Sequence, residues 1–513
     1  MEQNMIELSP IFGNGMILQR ERPISIWGKE DAADSVTVLL EGKTYTASVS
    51  DGKFLVTIPP HPAGKDLELE VRGSETIKLS DVCFGDVFYL GGQSNMELPV
   101  SRTLDVSKEE VEASDYPYIR QYRVTPQYNM AEDEIADLAK NPWTAAVPGR
   151  IGEMSAAGFY FARRIYDEMQ IPIGLVLGAQ GGSTIESWMP VELLSKFGDY
   201  EEKMAPFMEK DALNDYLKLR DSSIATWRNA LSSDEDEKNS KEIPEASSDF
   251  TVPGMLLHED GTAFTGIVWF YKEFTLQEEP SSDAFLYLGD LIDADQTYIN
   301  GNLVGRTEYR YPPRKYPFDG SILHKGKNLI AVRLIIETGD GGFVAEHPYY
   351  VRSKEEKIEL SGTWKMSFGK EAPAAVPGFL MGQEVPTSLY KTSVRPLKDY
   401  SFRGLLWYQG EANSSDPERY DEKFSAMIQN WRDLFRQKLP LICVEMADYR
   451  DPVTGKTPPG WDRIQSQQKE AEKTVPDCVV VSAKDLSTPL ELHPQRKSEL
   501  GARLSEAAKK IFY

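Results

Sequence analysis

Four short stretches carry side chains that together could transfer an acyl group. "YLGGQSNMELP" (89–99) sets Ser94 in a glycine-rich turn directly after an apolar run. "AQGGSTIESW" (179–188) offers the backbone N–H groups of Gly181 and Gly182. "GEANSS" (410–415) holds Glu411 and the carboxamide of Asn413, and "ELHPQRK" (491–497) holds His493. A hydroxyl nucleophile, backbone donors, an amide donor and an imidazole base are what acyl transfer requires. Each stretch also has a plainer reading. Ser94 fits an ordinary strand–loop junction, and His493, followed by Pro494, fits the start of a surface helix.

Chemistry of this kind needs a frame that brings the four stretches together. Five apolar, β-branched-rich runs supply one: "DVFYLGG" (86–92), "PIGLVLG" (172–178), "RGLLWYQG" (403–410), "LPLICVEM" (439–446) and "DCVVVSA" (477–483). Such runs suit strands buried on both faces. Helical patterns lie between several of them, which predicts an α/β fold with a doubly wound parallel sheet of about five strands. Ligands of such sheets bind beyond the carboxyl ends of the strands. Ser94, Gly181, Gly182, Glu411, Asn413 and, past a loop, His493 all follow strand ends. In "DPERYDEKFSAMIQNWRDLFRQ", Asp416 reads as an N-cap with Pro417 at the first helical position. Phe424, Met427, Ile428, Trp431, Leu434 and Phe435 recur at helical spacing and form a core stripe.

The remainder of the 513 residues exceeds what one core organises. Residues 1–81 alternate in short segments separated by turns and read as a β-sandwich. Residues 191–249 read as a helical connector ending in the charge run "SSDEDEKNSKE", expected to be a solvated, mobile linker. Residues 250–372 return to β style, with "YINGNLVG" as a hairpin signal. They form an inserted β-domain between two parts of the α/β unit, 82–190 and 385–513. Only five histidines compete for the role of base. His61 lies in the N-terminal segment and His258, His324 and His347 in the insertion, so His493 alone belongs to the α/β part.

The formal charge of −23 disfavours nucleic acid and anionic membrane surfaces as partners. No run approaches the roughly 18 apolar residues of a membrane span. The start "MEQNMIELSPIF" lacks a basic segment followed by an apolar one, which predicts a cytoplasmic protein if the native chain begins here. A secreted or periplasmic one follows if a leader was removed. Cys83, Cys443 and Cys478 sit in or beside apolar runs and read as buried free thiols. With no CxxC, HExxH or paired histidines, no metal and no cofactor are expected.

The blocks "GQSNM", "GGSTIESW", "WYQGEAN" and "LHPQRK" resemble those of the SGNH hydrolases, and more narrowly the sialate O-acetylesterase and carbohydrate acetylesterase branch. The resemblance implies that Ser94 is the nucleophile and His493 its base. The N–H groups of Ser94 and Gly181 (or Gly182) and the Asn413 amide would form the oxyanion hole. Gln93, Asn95, Glu186, Trp188, Gln409 and Glu411 would bind substrate or orient loops. The insertion resembles galactose-binding-like jelly rolls. The activity implied is release of acetate from O-acetylated sugars, of sialic acid or plant type. The rivals are a glycoside hydrolase, which needs a carboxylate pair that no motif singles out, and a non-catalytic glycan-binding protein. Many relatives carry an aspartate three residues before the histidine, where Leu490 stands here. Glu491, the more distant Asp485 or a main-chain carbonyl is left to orient the imidazole, and the carbonyl is favoured.

Overall fold

A computed structural model describes residues 6–128, 130–131, 138–256, 264–337, 339–372, 376 and 378–513. His258 lies outside them. The architecture is mixed α/β: a main sheet with parallel strands, and several antiparallel sheets.

The five apolar runs form five strands of the main sheet. These are β1 (Thr76–Gly92), β4 (Ile173–Leu177), β5 (Gly404–Tyr408), β6 (Leu441–Glu445) and β7 (Cys478–Ser482). Two further strands join them, β2 (Tyr116–Arg123) and the short β3 (Trp143–Ala146). The order is β3-β2-β4-β1-β5-β6-β7, and every pairing is parallel except that of β3 with β2. Among the described residues the parallel part therefore has six strands, where about five were expected. β2 escapes a hydropathy reading because its buried Arg120 looks like a surface residue in sequence. Its guanidinium donates to the Gly15 and Asp81 carbonyls and to the Asp81 carboxylate.

Successive strand side chains point to opposite faces, and Phe88 and Tyr89 show what each face meets. Phe88 packs against Phe161 of α1 (Ala156–Met169) and against Phe512, with ring centroids 5.0 and 5.1 Å apart. Tyr89 packs against Trp431 of α2 (Tyr420–Phe435) at 5.7 Å. Helices thus cover both faces of the sheet. α2 starts later than expected. Asp416 and Pro417 belong to the approach, and the chain turns through Arg419 in the left-handed region (φ 56°) before the first helical residue. The predicted stripe is otherwise in place, with Phe424, Met427, Ile428, Trp431 and Phe435 buried and Leu434 half-buried.

β1 is the keystone. Its first half pairs antiparallel with Gly64–Arg72 of the N-terminal β part, and its second half pairs parallel with β4 and β5. The expected boundary at 81/82 falls inside this strand, and one hydrophobic core runs through both parts. Cys83, Cys443 and Cys478 are buried free thiols.

In the inserted segment, a six-stranded and a four-stranded antiparallel sheet enclose a separate core that includes Phe270, Leu286, Val332 and Val351. The "NG" hairpin forms as expected. Asn300 (φ 48°) and Gly301 (φ 79°) make the two-residue turn between Ala294–Ile299 and Asn302–Thr307. The charge run before it is not a free linker. It holds a short helix, Asp236–Asn239, and Asp236 pairs with the buried Arg333 of the inserted sheet at 3.3 Å. Among the described residues no helix is long and apolar enough to cross a membrane.

Candidate active site

The chain order of the strands reverses at β1, with β4 on one side and β5 on the other. The register aligns Leu90 with Leu177 and with Leu406. The loops after β1, β4 and β5 therefore leave the sheet at one level, around the crevice where such sheets bind ligands. Gly92 ends β1 with φ +125°, and a Cβ there would meet the Tyr408 carbonyl oxygen at 2.1 Å. Only glycine fits, and the chain then turns sharply into Ser94–Glu97, a single helical turn that presents Ser94.

Ser94 Oγ lies 2.9 Å from His493 Nε2, although the two residues are 399 positions apart. Ser94 is partly exposed, so a ligand can reach it. Burial pushes the His493 imidazole down to about 3, and the nearby positive charges of Arg102 and Lys497 add to the shift. The ring is neutral at pH 7 and free to accept a proton.

The donors expected around the serine are placed unequally. The Ser94 N–H, at the start of its helical turn, has no hydrogen-bond partner among the described residues. Gly181 sits close by, where an added Cβ would stand 3.5 Å from the Ser94 Cβ. Its N–H, however, is taken by the Glu97 carboxylate at 2.6 Å, and Glu97 also pairs with Arg123. The Gly182 N–H carries no bond among the described residues.

Asn413 is buried and firmly held. Its Oδ1 accepts from the Ile185 N–H (2.9 Å) and Gln409 Nε2 (2.7 Å), and its Nδ2 donates to Glu186 (3.0 Å). One of its two amide hydrogens is thereby committed, leaving the other. Burial pushes the Glu186 carboxyl up, but the Lys423 ammonium at 2.6 Å and the Asn413 amide more than offset it, so it stays ionised. We expect Asn413→Ala to lower kcat about 10²–10³-fold in steady-state assays, as loss of one oxyanion donor does. A change confined to KM would assign Asn413 to binding instead.

The neighbouring polar residues are loop ties. Gln93 Oε1 accepts from the N–H groups of Gly410 and Ala412 at 3.3 and 3.2 Å, joining the serine turn to the β5 loop. Gln409 Nε2 donates to the Ser183 carbonyl at 3.0 Å, joining the β5 and β4 loops. Trp188 is fully buried against Trp407 and Trp431 and donates to Ser183 Oγ at 3.1 Å. Its burial corrects the alternative that it touches substrate.

Asn95 is the widest tie. Its Nδ2 donates to Glu411 (2.7 Å) and to the Leu492 carbonyl (3.0 Å), and its Oδ1 accepts from Lys497 Nζ (2.8 Å). It thus couples the serine turn to the loop that carries His493. Burial pushes Lys497 down to about 7 against the opposing pull of Glu411 and Glu491, and pushes the Glu411 carboxyl up.

None of the three proposed partners of the second imidazole nitrogen is present among the described residues. Glu491 accepts from the N–H groups of Gln495 (3.0 Å) and Thr488 (3.4 Å), bracing the histidine's own loop. Asp485 is engaged by Arg503 at 2.7 Å through both oxygens. Among the described residues no main-chain carbonyl accepts from Nδ1, which corrects the expectation of one, and His493 pairs with no carboxylate. Glu491→Gln should therefore cost less than about tenfold in kcat/KM. A loss of several orders of magnitude would show that Glu491 acts on the ring.

Sequence reasoning missed Lys497, Glu97, Arg102 and Lys423. Lys497 stood within a quoted block, four residues after His493, and that spacing was the available signal. Glu97 stood likewise three residues after Ser94, whereas Arg102 and Lys423 meet the site only through folding.

Residues 84–214 and 372–510, just over half of the chain, match the family described as carbohydrate esterase, sialic acid-specific acetylesterase. A sialate O-acetylesterase from Rattus norvegicus is 34% identical over 205 residues, covering 36% of this chain and 38% of the relative. One from Homo sapiens is 29% identical over 214 residues, covering 38% and 40%. The matches thus span less than half of either relative. A solved carbohydrate acetylesterase from Xanthomonas citri, XAC1771, superposes with a TM-score of 0.59 at 20% identity. The superposition covers 99% of this chain and 76% of that one, a likeness of fold.

Proposed function

The chain belongs to the carbohydrate esterase, sialic acid-specific acetylesterase family, and from that premise we propose that it releases acetate from O-acetylated sugars by nucleophilic catalysis at Ser94. The observation that carries this reading is the 2.9 Å contact of Ser94 Oγ with His493 Nε2 at the crevice where the strand order reverses. In this reading 82–190 and 385–513 form an SGNH-type, doubly wound hydrolase unit, interrupted by a jelly-roll insertion.

His493 Nε2 takes the proton of Ser94 as Oγ attacks the acetyl carbonyl. The developing oxyanion faces the free N–H of Ser94 and the uncommitted hydrogen of Asn413. Collapse expels the sugar oxygen, which receives the proton from the imidazolium, and leaves an acetyl-enzyme. Water then repeats the sequence: His493 removes its proton, the ester carbon accepts its oxygen, and acetate leaves as Ser94 regains its hydrogen. The imidazolium stands partly desolvated beside Arg102 and Lys497, with no carboxylate paired to it among the described residues, so the basicity of His493 is low.

The test is acetate release from a panel of O-acetylated sialic acids and acetylated xylo-oligosaccharides, with reducing sugar measured in parallel. Acetate without new reducing ends is the expected result. Reducing ends without acetate would favour a glycosidase, and neither product would leave the reading without support.

A further inference from the structure

The inserted β-domain meets the hydrolase unit at the loop that carries the catalytic pair's base. Its Glu346 accepts from the Leu490 N–H at 2.8 Å and from the Thr488 hydroxyl. Its Tyr287 and Lys315 both reach Asp105, which also accepts from Gln495 Nε2 at 3.0 Å. These ties fix the domain's edge beside His493.

At that edge Tyr311 stands with its ring perpendicular to the His493 imidazole, centroids 5.4 Å apart. It is 42% exposed although it packs against the half-buried His493 imidazole. Two arginines hold its carbonyl and those of its two neighbours. Arg102, on the serine side of the crevice, donates to the Tyr311 carbonyl at 3.1 Å. Arg314, fully buried, donates to the carbonyls of Arg310 and Pro312 at 3.1 and 2.9 Å. Arg314 is itself fixed by the buried Asp295 carboxylate at 2.8 Å. A buried ion pair thus locks the main chain on both sides of a residue whose side chain is left open to solvent. The same pair braces the inserted domain's own core, since the Tyr316 hydroxyl donates to Asp295, and it also leaves the Tyr311 ring on a preorganised main chain, as a contact surface requires.

We propose that Tyr311 is a platform for the sugar ring of the substrate, so that the inserted domain builds one wall of the active site. The aromatic face carries negative charge density and attracts the weakly positive C–H bonds on one face of a pyranose. A sugar resting there lies next to His493, with its acetyl ester directed to Ser94. This rests on the acetylesterase reading and adds to it a class of recognition: a flat, apolar sugar face, read by a residue outside the hydrolase unit.

The test compares kcat/KM for an acetylated xylo-oligosaccharide and for ethyl acetate, which has no ring to stack. It uses the full chain and the variants Tyr311→Ala, Tyr311→Phe and Tyr311→Trp. The expected result is a fall of about tenfold in the sugar-to-ethyl-acetate ratio for Tyr311→Ala, carried by KM, with Phe and Trp restoring it. An unchanged ratio overturns the proposal, whether both activities hold or both fall together. Equal falls would mean that Tyr311 acts by positioning His493. A wild-type protein that cleaves ethyl acetate but no acetylated sugar also overturns it. Failure on both substrates would instead sink the acetylesterase reading beneath it.

Discussion

Ser94→Ala is expected to lower acetyl-ester hydrolysis by at least about 10⁴-fold while leaving thermal unfolding unchanged. The size follows from the mechanism, since no other hydroxyl bonds His493 among the described residues. The stability expectation follows from the contacts. Among the described residues Oγ makes one hydrogen bond, to His493, whereas the turn is held by Gln93, Asn95 and the main chain. Substrate affinity should survive, because the variant keeps the crevice and its donors. Steady-state kinetics, a thermal melt and a direct binding measurement check the three parts separately. Undiminished turnover by a folded variant would contradict the mechanism.

His493→Ala should cost a comparable factor, on the order of 10⁴-fold or more. The wild-type pH profile carries a sharper expectation. The base works only when neutral, so kcat/KM falls as pH drops through its pKa. An ordinary histidine would bring that limb near about 6.5. Burial, with Arg102 and Lys497 adding their charge, pushes His493 down to about 3. Activity should therefore stay nearly level from neutral pH down to about pH 5, and the limb should appear only in stronger acid. Substitution of Arg102 by methionine removes one of the two positive charges and should move the limb upward. A wild-type limb near pH 6.5 would mean that the imidazole is better solvated, or paired, than this geometry allows.

The parallel sheet was legible because its strands are buried on both faces and so write themselves as unbroken apolar runs. β2 was not, since Arg120 buys its place in the interior with four hydrogen bonds that no hydropathy pattern reveals. The start of α2 was misread for a related reason. Asp416-Pro417 is a good local start signal, but the chain needs the left-handed turn at Arg419 to enter the helix. At the site, Ser94, Asn413 and His493 stood out because few residue types do this chemistry and each followed a strand end. The ties that hold them were invisible. Asn95 reaches Leu492 across 397 positions and Glu346 reaches Leu490 across 144, and neither leaves a spacing in the sequence. The absent partner of His493 shows the same limit. Sequence could nominate Glu491 and Asp485, but only folding decides that one braces its own loop and the other pairs with Arg503.

The most direct test of covalent catalysis at Ser94 is rapid quenching of the wild-type protein during turnover of an acetylated sugar, followed by peptide mass spectrometry. The account predicts one acetyl group on the peptide containing Ser94, formed before steady state and absent from Ser94→Ala. Acetate released at full rate with no acetylated peptide, or with the acetyl group on another residue, would contradict it.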